Sequence, residues 1–161
     1  MSLSHVNPES NQPGMVNVGD KAATRRRAVA EGWVVVGASV LTALEGDDWQ
    51  SPKGPVFQTA IIGGTQAVKR TAELIPFCHP LPLNGIDFTI EPVGGDRVRL
   101  TCAVETEGKT GVEMEALTGV SAAALILYDM CKALSQEMEI TGIRVIEKTG
   151  GKSDILLRTH S

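Results

Sequence analysis

A long apolar stretch in the C-terminal half of the chain constrains the fold most strongly. Residues 121–134 predict the body of a helix, which we expect to run from 117 to about 136. The stretch contains Asp129 and Lys132, which are three positions apart and therefore share one face of the helix. Placing an ion on so apolar a helix costs free energy unless the ion is paired or hydrogen-bonded. The pair is therefore a candidate functional site.

Two interpretations of the Asp129–Lys132 pair remain open. As an exposed ion pair one helical turn apart, it would contribute little to stability. In a partly desolvated site, Lys132 would lose its proton more easily and could serve as an acid or a base. The apolar helix and two carboxylates just upstream, Glu113 and Glu115, favour the second interpretation.

The remaining periodicity predicts four strands and two further helices. Strands are expected at residues 27–36, 86–90, 98–104 and 140–148, and helices at 40–44, with Ser39 as N-cap, and at 56–74. A Gly-Gly-Asp turn joins the second and third strands into a hairpin. The order β-α-β-β-α-β is typical of a ferredoxin-like fold, an α+β antiparallel sheet with helices packed on one face.

The length and composition of the chain limit its domain number, its core, its partners and its cellular compartment. A chain of 161 residues fits one domain, expected over residues 15–157 behind a flexible N-terminal tail of residues 1–14. Aromatic residues make up only 4%, so the core must be mainly aliphatic. A formal charge of −4 argues against nucleic-acid binding. Three cysteines without CxxC spacing favour a reducing compartment, and the sequence predicts neither a signal peptide nor a membrane span, so we expect a soluble, cytoplasmic protein.

The relative orientation of the two carboxylates upstream of the helix depends on the local backbone conformation. If residues 112–116 are extended, Glu113 and Glu115 point to the same side, whereas in a helix they diverge by about 200°. The spacing from Thr110 to Glu113 also fits a capping box, which is a structural role. Two preceding glycines favour the extended form, with Thr118 available to cap a helix that begins later.

A thiol and an imidazole, Cys78 and His79, lie within a proline-rich segment. Residues 75–83 cannot form a helix and are expected to be an ordered loop, which suits a binding site. The pair could be a nucleophile with its base, two metal ligands, or simple packing. Adjacent residues rarely face each other, and a metal needs three or four ligands while His5 and His160 fall in expected tails.

Basic residues near predicted element ends could converge on an anion and form a phosphate cradle. They are Arg25, Arg26, Arg27, Lys53, Lys69, Arg70, Lys109 and Lys152. Each one alone is as well explained by solvation at the surface.

The segment Gly-Gly-Lys-Ser at residues 150–153 is similar to the end of a phosphate-binding P-loop. That motif requires a glycine where Ile146 stands, and no helix is predicted to follow. A nucleoside triphosphatase of this class is therefore rejected.

Four segments together closely resemble one family, the molybdenum cofactor biosynthesis protein C family of cyclic pyranopterin monophosphate synthases. They are KRTAELIPFCHPL from Lys69, GKTGVEMEALT from Gly108, YDMCK from Tyr128, and GGKS from Gly150. The resemblance covers residues 15–153. It implies a ferredoxin-like lyase that converts 3′,8-cyclo-7,8-dihydro-GTP to cyclic pyranopterin monophosphate and releases pyrophosphate, in molybdenum cofactor biosynthesis.

The resemblance also implies partners and assembly. The substrate is a small polyphosphate, with no nucleic-acid or membrane partner. The protein would form a homohexamer, a trimer of dimers, with its sites at dimer interfaces. No cofactor is obligatory, although Mg²⁺ could act through the substrate phosphates.

Site residues carry over from the family by position. Asp129 and Lys132 match its helix aspartate and catalytic lysine, and Lys53 matches its second catalytic amine. The residues matching its substrate-binding set are Phe77, Cys78, His79, Glu113, Met114, Glu115 and, on the phosphate side, Arg26 and Lys69. Two departures are small: Pro55 stands where an aspartate is expected, and Phe77 stands where leucine is common.

Two alternatives from other classes remain. A non-catalytic nucleotide-binding or assembly module would also bind phosphates and oligomerise, although it would not require the two lysines and Asp129. A zinc-dependent hydrolase built on Cys78 and His79 is the weaker alternative.

Overall fold

The computed structural model describes residues 11–44 and 48–157. The first ten residues of the expected flexible tail, residues 45–47 of the expected polar loop, and His160 lie outside the described residues. In chain order the elements are β1 (Thr24–Val35), α1 (Ala38–Ala43), β2 (Gln50–Ser51), β3 (Gly54–Pro55), α2 (Val56–Lys69), α3 (Thr71–Leu74), β4 (Leu83–Val93), β5 (Arg97–Gly108), α4 (Glu113–Cys131), β6 (Glu139–Thr149) and β7 (Ile155–Leu156).

One antiparallel sheet organises the chain, in the strand order β4-β5-β1-β6-β7. Strand β1 is central and pairs with β5 on one side and β6 on the other. Helices α2 and α4 cover one face of this sheet. The predicted α+β class and ferredoxin-like arrangement are therefore confirmed.

The predicted hairpin is present and longer than expected. Strands β4 and β5 pair from Leu83 to Val93, and Gly94, with φ of 69°, begins the turn. The sequence predicted too short a strand β4, because Pro92 interrupts the alternating pattern near the C-terminal end of the strand. Proline is tolerated there because β4 lies at the edge of the sheet, where a backbone donor can be missing without breaking a ladder.

Helices α2 and α4 approach each other closely through glycine. A Cβ atom on Gly64 would lie 2.7 Å from Phe88 Cζ, and one on Gly119 would lie 2.6 Å from Val68 Cγ2. The two glycines of α2 weakened its prediction from sequence, yet Gly64 is needed because this crossing leaves no room for a side chain. The helix ends at Lys69, and the short α3 follows, so the predicted single helix over 56–74 is interrupted at Arg70.

Helix α4 begins at Glu113, so the expectation that residues 112–116 are extended is wrong. The physical reason is burial: Val112, Glu115 and Ala116 continue the buried helical stripe toward the N-terminus. Ala116 N donates to Val112 O, and no described side chain caps the first turn. The capping box from Thr110 is therefore not formed, and Thr118 lies inside the helix rather than before it.

Helix α4 is long and apolar enough, by length and composition alone, to cross a membrane. The sequence expectation that no apolar run reaches this length is therefore wrong. However, 56% of the most apolar window is buried inside the fold. Such burial is what the core helix of a folded domain shows.

Two smaller expectations also differ from the structure. Helix α1 begins at Ala38 after Gly37, so Ser39 lies in the helix and is not its N-cap. The segment after residue 149 was expected to be an irregular tail, but Ile155 and Leu156 return as strand β7 and pair with Lys148 and Glu147.

The sheet face opposite the helices carries a buried carboxylate. Glu31 on β1 is only 1% exposed. Arg99 from β5 donates to its Oε2 atom at 2.9 and 3.2 Å, and Arg144 from β6 donates to its Oε1 atom at 2.8 and 2.9 Å. The Arg99 guanidinium also lies 5.8 Å from the ring centroid of Trp33. Both carboxylate oxygens are therefore fully satisfied.

Candidate active site

The two lysines expected to be catalytic meet at one carboxylate. Lys53 Nζ lies 2.5 Å from Asp129 Oδ2 and 3.0 Å from the Asp129 carbonyl oxygen. Lys132 Nζ lies 2.7 Å from Asp129 Oδ1. The chain thus brings together all three residues that the sequence singled out for catalysis.

The loop that carries Lys53 is held from both sides. It is the turn between β2 and β3, where the Ser51 hydroxyl accepts a hydrogen bond from Lys53 N. Just before it, the buried Trp49 packs on Phe57 with ring centroids 4.9 Å apart. The Asp48 carboxylate accepts from Phe57 N at 2.7 Å and so caps helix α2. These contacts fix the loop against the start of α2 and direct Lys53 toward α4.

Electrostatics at this cluster differ from the expectation for Lys132. Hydrogen bonds from Lys132 and then Lys53 lower the pKa of Asp129 to about 2. The hydrogen bond to Asp129 and the charge of that residue raise the pKa of Lys132. The side chains are half exposed, at 52% for Lys53 and Asp129 and 57% for Lys132. In the single chain, Lys132 therefore fits the first interpretation, an exposed ion pair one helical turn apart, because its partner stabilises the ammonium form.

A second group of predicted residues lines a cavity of about 410 Å³ at the N-terminal end of α4. It includes six residues expected to contact substrate, namely Phe77, Cys78, His79, Glu113, Met114 and Glu115. Val16 and Val18, from the segment before β1, complete part of its wall. The prediction of Met114 and Glu115 as a pair before the helix is wrong, since both lie in its first turn.

Glu115 is buried and Cys78 partly buried in the wall of this cavity. Glu115 is 4% exposed, and burial is the main reason that its pKa is raised, with a smaller contribution from the charge of Glu113. Burial also raises the pKa of Cys78, and the charge of Glu115 adds to this effect. A neutral thiol is a poor nucleophile, so a thiol-protease arrangement at Cys78 and His79 is not supported.

Glu113 points away from Glu115, as the helical spacing requires. Its Oε1 atom lies 2.7 Å from Lys148 Nζ on strand β6. Burial opposes ionisation of Glu113, but the hydrogen bond from Lys148, a backbone hydrogen bond, the charge of Lys148 and, least, the charge of Arg26 together outweigh burial and lower its pKa. The two glutamates therefore play different parts: Glu113 is a paired anion, while Glu115 retains its proton more readily.

Cationic side chains line a second cavity, of about 250 Å³, beside the first cavity. Its charged lining consists of Lys21, Arg26, Arg27, Lys109, Lys148, Lys152 and the carboxylate of Glu113. Lys21, Thr110, Gly111, Glu113 and Lys152 line both cavities, so the two are adjacent. Such a group of cations in an acidic chain is suited to a polyphosphate.

Sequence reasoning identified part of this cationic lining. Arg26, Arg27, Lys109 and Lys152 converge as expected, while Lys21 and Lys148 were missed. Lys148 is adjacent in space because β6 pairs with β1, with Lys148 opposite Ala28. Only the strand register could have indicated it. Arg25 lies elsewhere, exposed and paired with Glu105 at 2.8 Å.

Lys69 is not part of the cationic cavity. It lines a separate cavity of about 140 Å³ together with His79 and Glu115. The structure therefore does not bring Lys69 and Arg26 together as one phosphate-binding pair, but it places Lys69 beside the residues expected to contact the substrate.

The two groups of site residues lie at opposite ends of helix α4. Glu113 is in its first turn and Asp129 in its last, and at about 1.5 Å per residue the helix separates them by about 24 Å. One chain therefore presents two partial sites: the lysine pair on Asp129, and the paired cavities near Glu113 and Glu115.

No described group of three or more His, Cys, Asp or Glu side chains in residues 11–44 and 48–157 is arranged to hold a metal ion. Cys78 and His79 therefore lack the further ligands that a zinc hydrolase would need.

The fold and the two partial sites define a ferredoxin-like α+β protein with a cavity lined by cationic side chains. A family model described as "MoaC family" matches residues 15–151, and the chain belongs to this family. It is 50% identical over 153 residues to a cyclic pyranopterin monophosphate synthase of Xanthomonas campestris pv. campestris, covering 95% of this chain and 92% of the relative. A synthase of the same name from Pelotomaculum thermopropionicum is 49% identical over 157 residues, covering 97% of this chain and 91% of the relative.

A longer relative also matches. A molybdenum cofactor biosynthesis bifunctional protein of Synechocystis sp. is 53% identical over 151 residues, which are 91% of this chain but only 44% of that protein. The chain thus corresponds to less than half of the bifunctional protein and to nearly the whole length of the single-function synthases.

Proposed function

We propose that this protein is a cyclic pyranopterin monophosphate synthase of molybdenum cofactor biosynthesis. Its substrate would be 3′,8-cyclo-7,8-dihydro-GTP, and its products cyclic pyranopterin monophosphate and pyrophosphate. The observation that carries the proposal is the adjacency of two cavities that share five lining residues, one with six cationic side chains and the other lined by Phe77, His79 and Glu115. Relatives of that name at about half identity over nearly the full length support it.

The cavities suggest how the substrate is held. The triphosphate would occupy the cationic cavity, where Arg26 and its neighbours neutralise its charge and favour the departure of pyrophosphate. The guanine-derived ring would lie in the larger cavity against Phe77 and Met114. Glu115, whose pKa is raised, and His79 would then hydrogen-bond the ring edge.

Proton transfer would be the role of the lysine pair. Rebuilding the ring requires protons to be given and taken at several atoms. In the unliganded chain Lys132 is held as an ammonium by Asp129, so it begins the reaction as a proton donor. Lys53, on its loop, would be the second amine. A ligand that displaces Lys132 from Asp129 would lower the proton affinity of that amine and allow it to act as a base.

Assembly would complete the site. Because the lysine pair and the cavities lie at opposite ends of α4, we propose that the lysines of one subunit face the cavities of another across a dimer interface, with three dimers forming a hexamer. Exposed apolar side chains on the helical layer, Ile62 at 60% and Leu125 at 62%, are consistent with a covered surface. Light scattering coupled to size-exclusion chromatography tests the hexamer, and mixing subunits with separate defects in each partial site tests the shared site.

The proposed function also implies how Mg²⁺ would act and in which compartment the protein would work. Mg²⁺ would act through phosphate oxygens of the bound substrate rather than in a cage of protein ligands. We place the protein in the cytoplasm, in keeping with three free thiols, Cys78, Cys102 and Cys131. Titration of activity with EDTA and then Mg²⁺ measures the metal requirement.

Pyrophosphate release from purified protein incubated with the cyclic dihydro-GTP intermediate tests the function directly. Release of one pyrophosphate per cyclic pyranopterin monophosphate formed supports the synthase. Tight binding of the intermediate without any pyrophosphate would instead indicate a non-catalytic nucleotide-binding module.

A further inference from the structure

A short segment before β1 closes one side of the site. Residues 15–21, which we term the strap, belong to no helix or strand of the described chain. Val16 and Val18 are half-buried and line the larger cavity, while Met15, Asn17 and Gly19 between them are exposed. The strap is therefore an extended piece of chain that lies with alternate residues against the cavity.

Side chains of the site hold the strap in place. His79 Nε2 lies 2.8 Å from the Val16 carbonyl oxygen, which can only accept, so this ring nitrogen carries the proton. Lys109 Nζ donates to the Gly19 carbonyl oxygen at 2.6 Å. Both residues also line the cavities. The position of the strap is thus linked to the groups that would meet the ligand.

A local turn fixes the end of the strap. Gly19 N donates to Asn17 Oδ1 at 2.8 Å, and Lys21 N donates to Val18 O at 3.1 Å. This turn directs Lys21 to the junction of the two cavities, and Lys21 lines both. In contrast, the side chain of Asn17 lines neither cavity, so it influences the site only through the turn.

We propose that Lys109 and Asn17 are positioning residues: they hold the strap over the site so that Lys21 stands where the ring and the phosphates of the substrate meet. A polyphosphate bound in the cationic cavity then orders the strap further, because it contacts Lys21 and neutralises the cations around Lys109. The nature of the turnover substrate rests on the proposed function, but the coupling between anion binding and the strap does not.

Hydrogen–deuterium exchange of the full-length protein, with and without inorganic triphosphate, tests this coupling. In the wild type, triphosphate should slow exchange in residues 15–21. Asn17→Ala, which removes no group from either cavity, should speed exchange there and weaken triphosphate binding several-fold. Lys109→Met should do the same, and Lys109→Arg should restore most of the loss.

Lys152→Met is the matched control, because it removes a cavity cation that, unlike Lys109, donates no described hydrogen bond to the strap. It should weaken triphosphate binding but leave exchange of the free strap unchanged. In steady-state assays, Asn17→Ala should raise KM roughly tenfold, as expected for one lost charge-assisted contact, with kcat nearly unchanged. Wild-type exchange and wild-type KM in Asn17→Ala would overturn the proposal, as would identical exchange in Lys109→Met and Lys152→Met.

The two proposals fail in different ways. If triphosphate protects the strap in the wild type but not in Asn17→Ala, the positioning role is supported. If, in the same experiments, no pyrophosphate is released from the cyclic intermediate, the proposed synthase activity is contradicted. If pyrophosphate is released and Asn17→Ala behaves as the wild type in both assays, the proposed synthase activity is supported and the proposed positioning role is contradicted.

Discussion

Lys53 reaches from a hairpin loop to Asp129 in the last turn of α4, and its Nζ atom lies 2.5 Å from Asp129 Oδ2. Since Lys132 binds the other oxygen of the same carboxylate, each ammonium limits the freedom of the other. The cluster is exposed at the surface of a single chain, so it contributes little to stability and is available to a ligand or a second subunit.

Replacing either lysine by alanine should abolish product formation without unfolding the protein. Lys53→Ala and Lys132→Ala each remove an exposed amine, so the melting temperature should change little, while kcat should fall at least about 100-fold. Arg97→Ala is the control, because within the described residues Arg97 forms its ion pair with its neighbour Asp96 near the tip of the β4–β5 turn, away from both partial sites. Normal turnover by either lysine variant would contradict the assigned roles.

Asp129→Asn should move the alkaline limb of the pH–rate profile to lower pH. The carboxylate raises the pKa of Lys132, so loss of its charge lowers that pKa and the ammonium form is lost earlier as the pH rises. The pKa of Asp129 itself, about 2, keeps it ionised throughout the measurable range. The comparison uses kcat/KM, because its pH dependence reports the pKa values of the unliganded enzyme. An unmoved alkaline limb would show that Lys132 does not limit the rate.

Opposite effects on stability are expected at the two glutamates of α4. The folded-state pKa of Glu115 is raised, so its ionisation destabilises the fold as the pH rises above the ordinary value of 4.5, and Glu115→Gln should stabilise the protein near neutral pH. The pKa of Glu113 is lowered, so its ionisation stabilises the fold, and Glu113→Gln should be destabilising above that pH. Both differences should vanish in strong acid, which melting curves between about pH 3 and pH 8 would measure.

Arg26→Ala should mainly weaken substrate binding. Arg26 lines the cationic cavity and donates from Nε to the Gly108 carbonyl oxygen at 2.9 Å. Loss of one phosphate-side cation should raise KM roughly tenfold, with a smaller effect on kcat. The effect should shrink at high ionic strength, since salt screens the same attraction. A large loss of kcat with unchanged substrate affinity would instead place Arg26 in the chemical step.

Gly64→Ala should destabilise the fold by about 1–3 kcal/mol, a usual cost of overpacking. The added Cβ would lie 2.7 Å from Phe88 Cζ and 3.1 Å from the Gly119 carbonyl oxygen, so α2 and α4 would have to separate. Gly95→Ala is the matched control in an open turn, where a Cβ meets nothing within 4 Å. Chemical denaturation of both variants measures the difference.

The sequence predicted the fold well where periodicity was unambiguous. The alternation in β5 and the apolar length of α4 gave the hairpin, the long helix and hence the ferredoxin-like order. The predicted ends of helices were wrong where a local sequence signal opposed the burial of apolar side chains. Two glycines before Glu113 suggested extended chain, but the core holds Val112 and Ala116, and the helix therefore begins earlier.

At the site, residue types were easier to predict than their environments. Lys53, Asp129 and Lys132 meet as the resemblance implied, although whether they are catalytic remains a prediction. The protonation of Lys132 was misjudged because apolar neighbours in sequence do not reveal that a side chain lies at the exposed end of a helix. Lys148 could not be found without the pairing of β6 with β1, which no local pattern encodes.

The doubly bound Glu31 has a consequence for how the sheet assembles. Its two oxygens receive arginines from the strands on either side, so a single side chain spans three neighbouring strands. Sliding either flanking strand by one residue would turn its arginine to the opposite face and leave one oxygen of a buried carboxylate without its partner. A single acidic residue thus favours the native register of both strands that pair with β1.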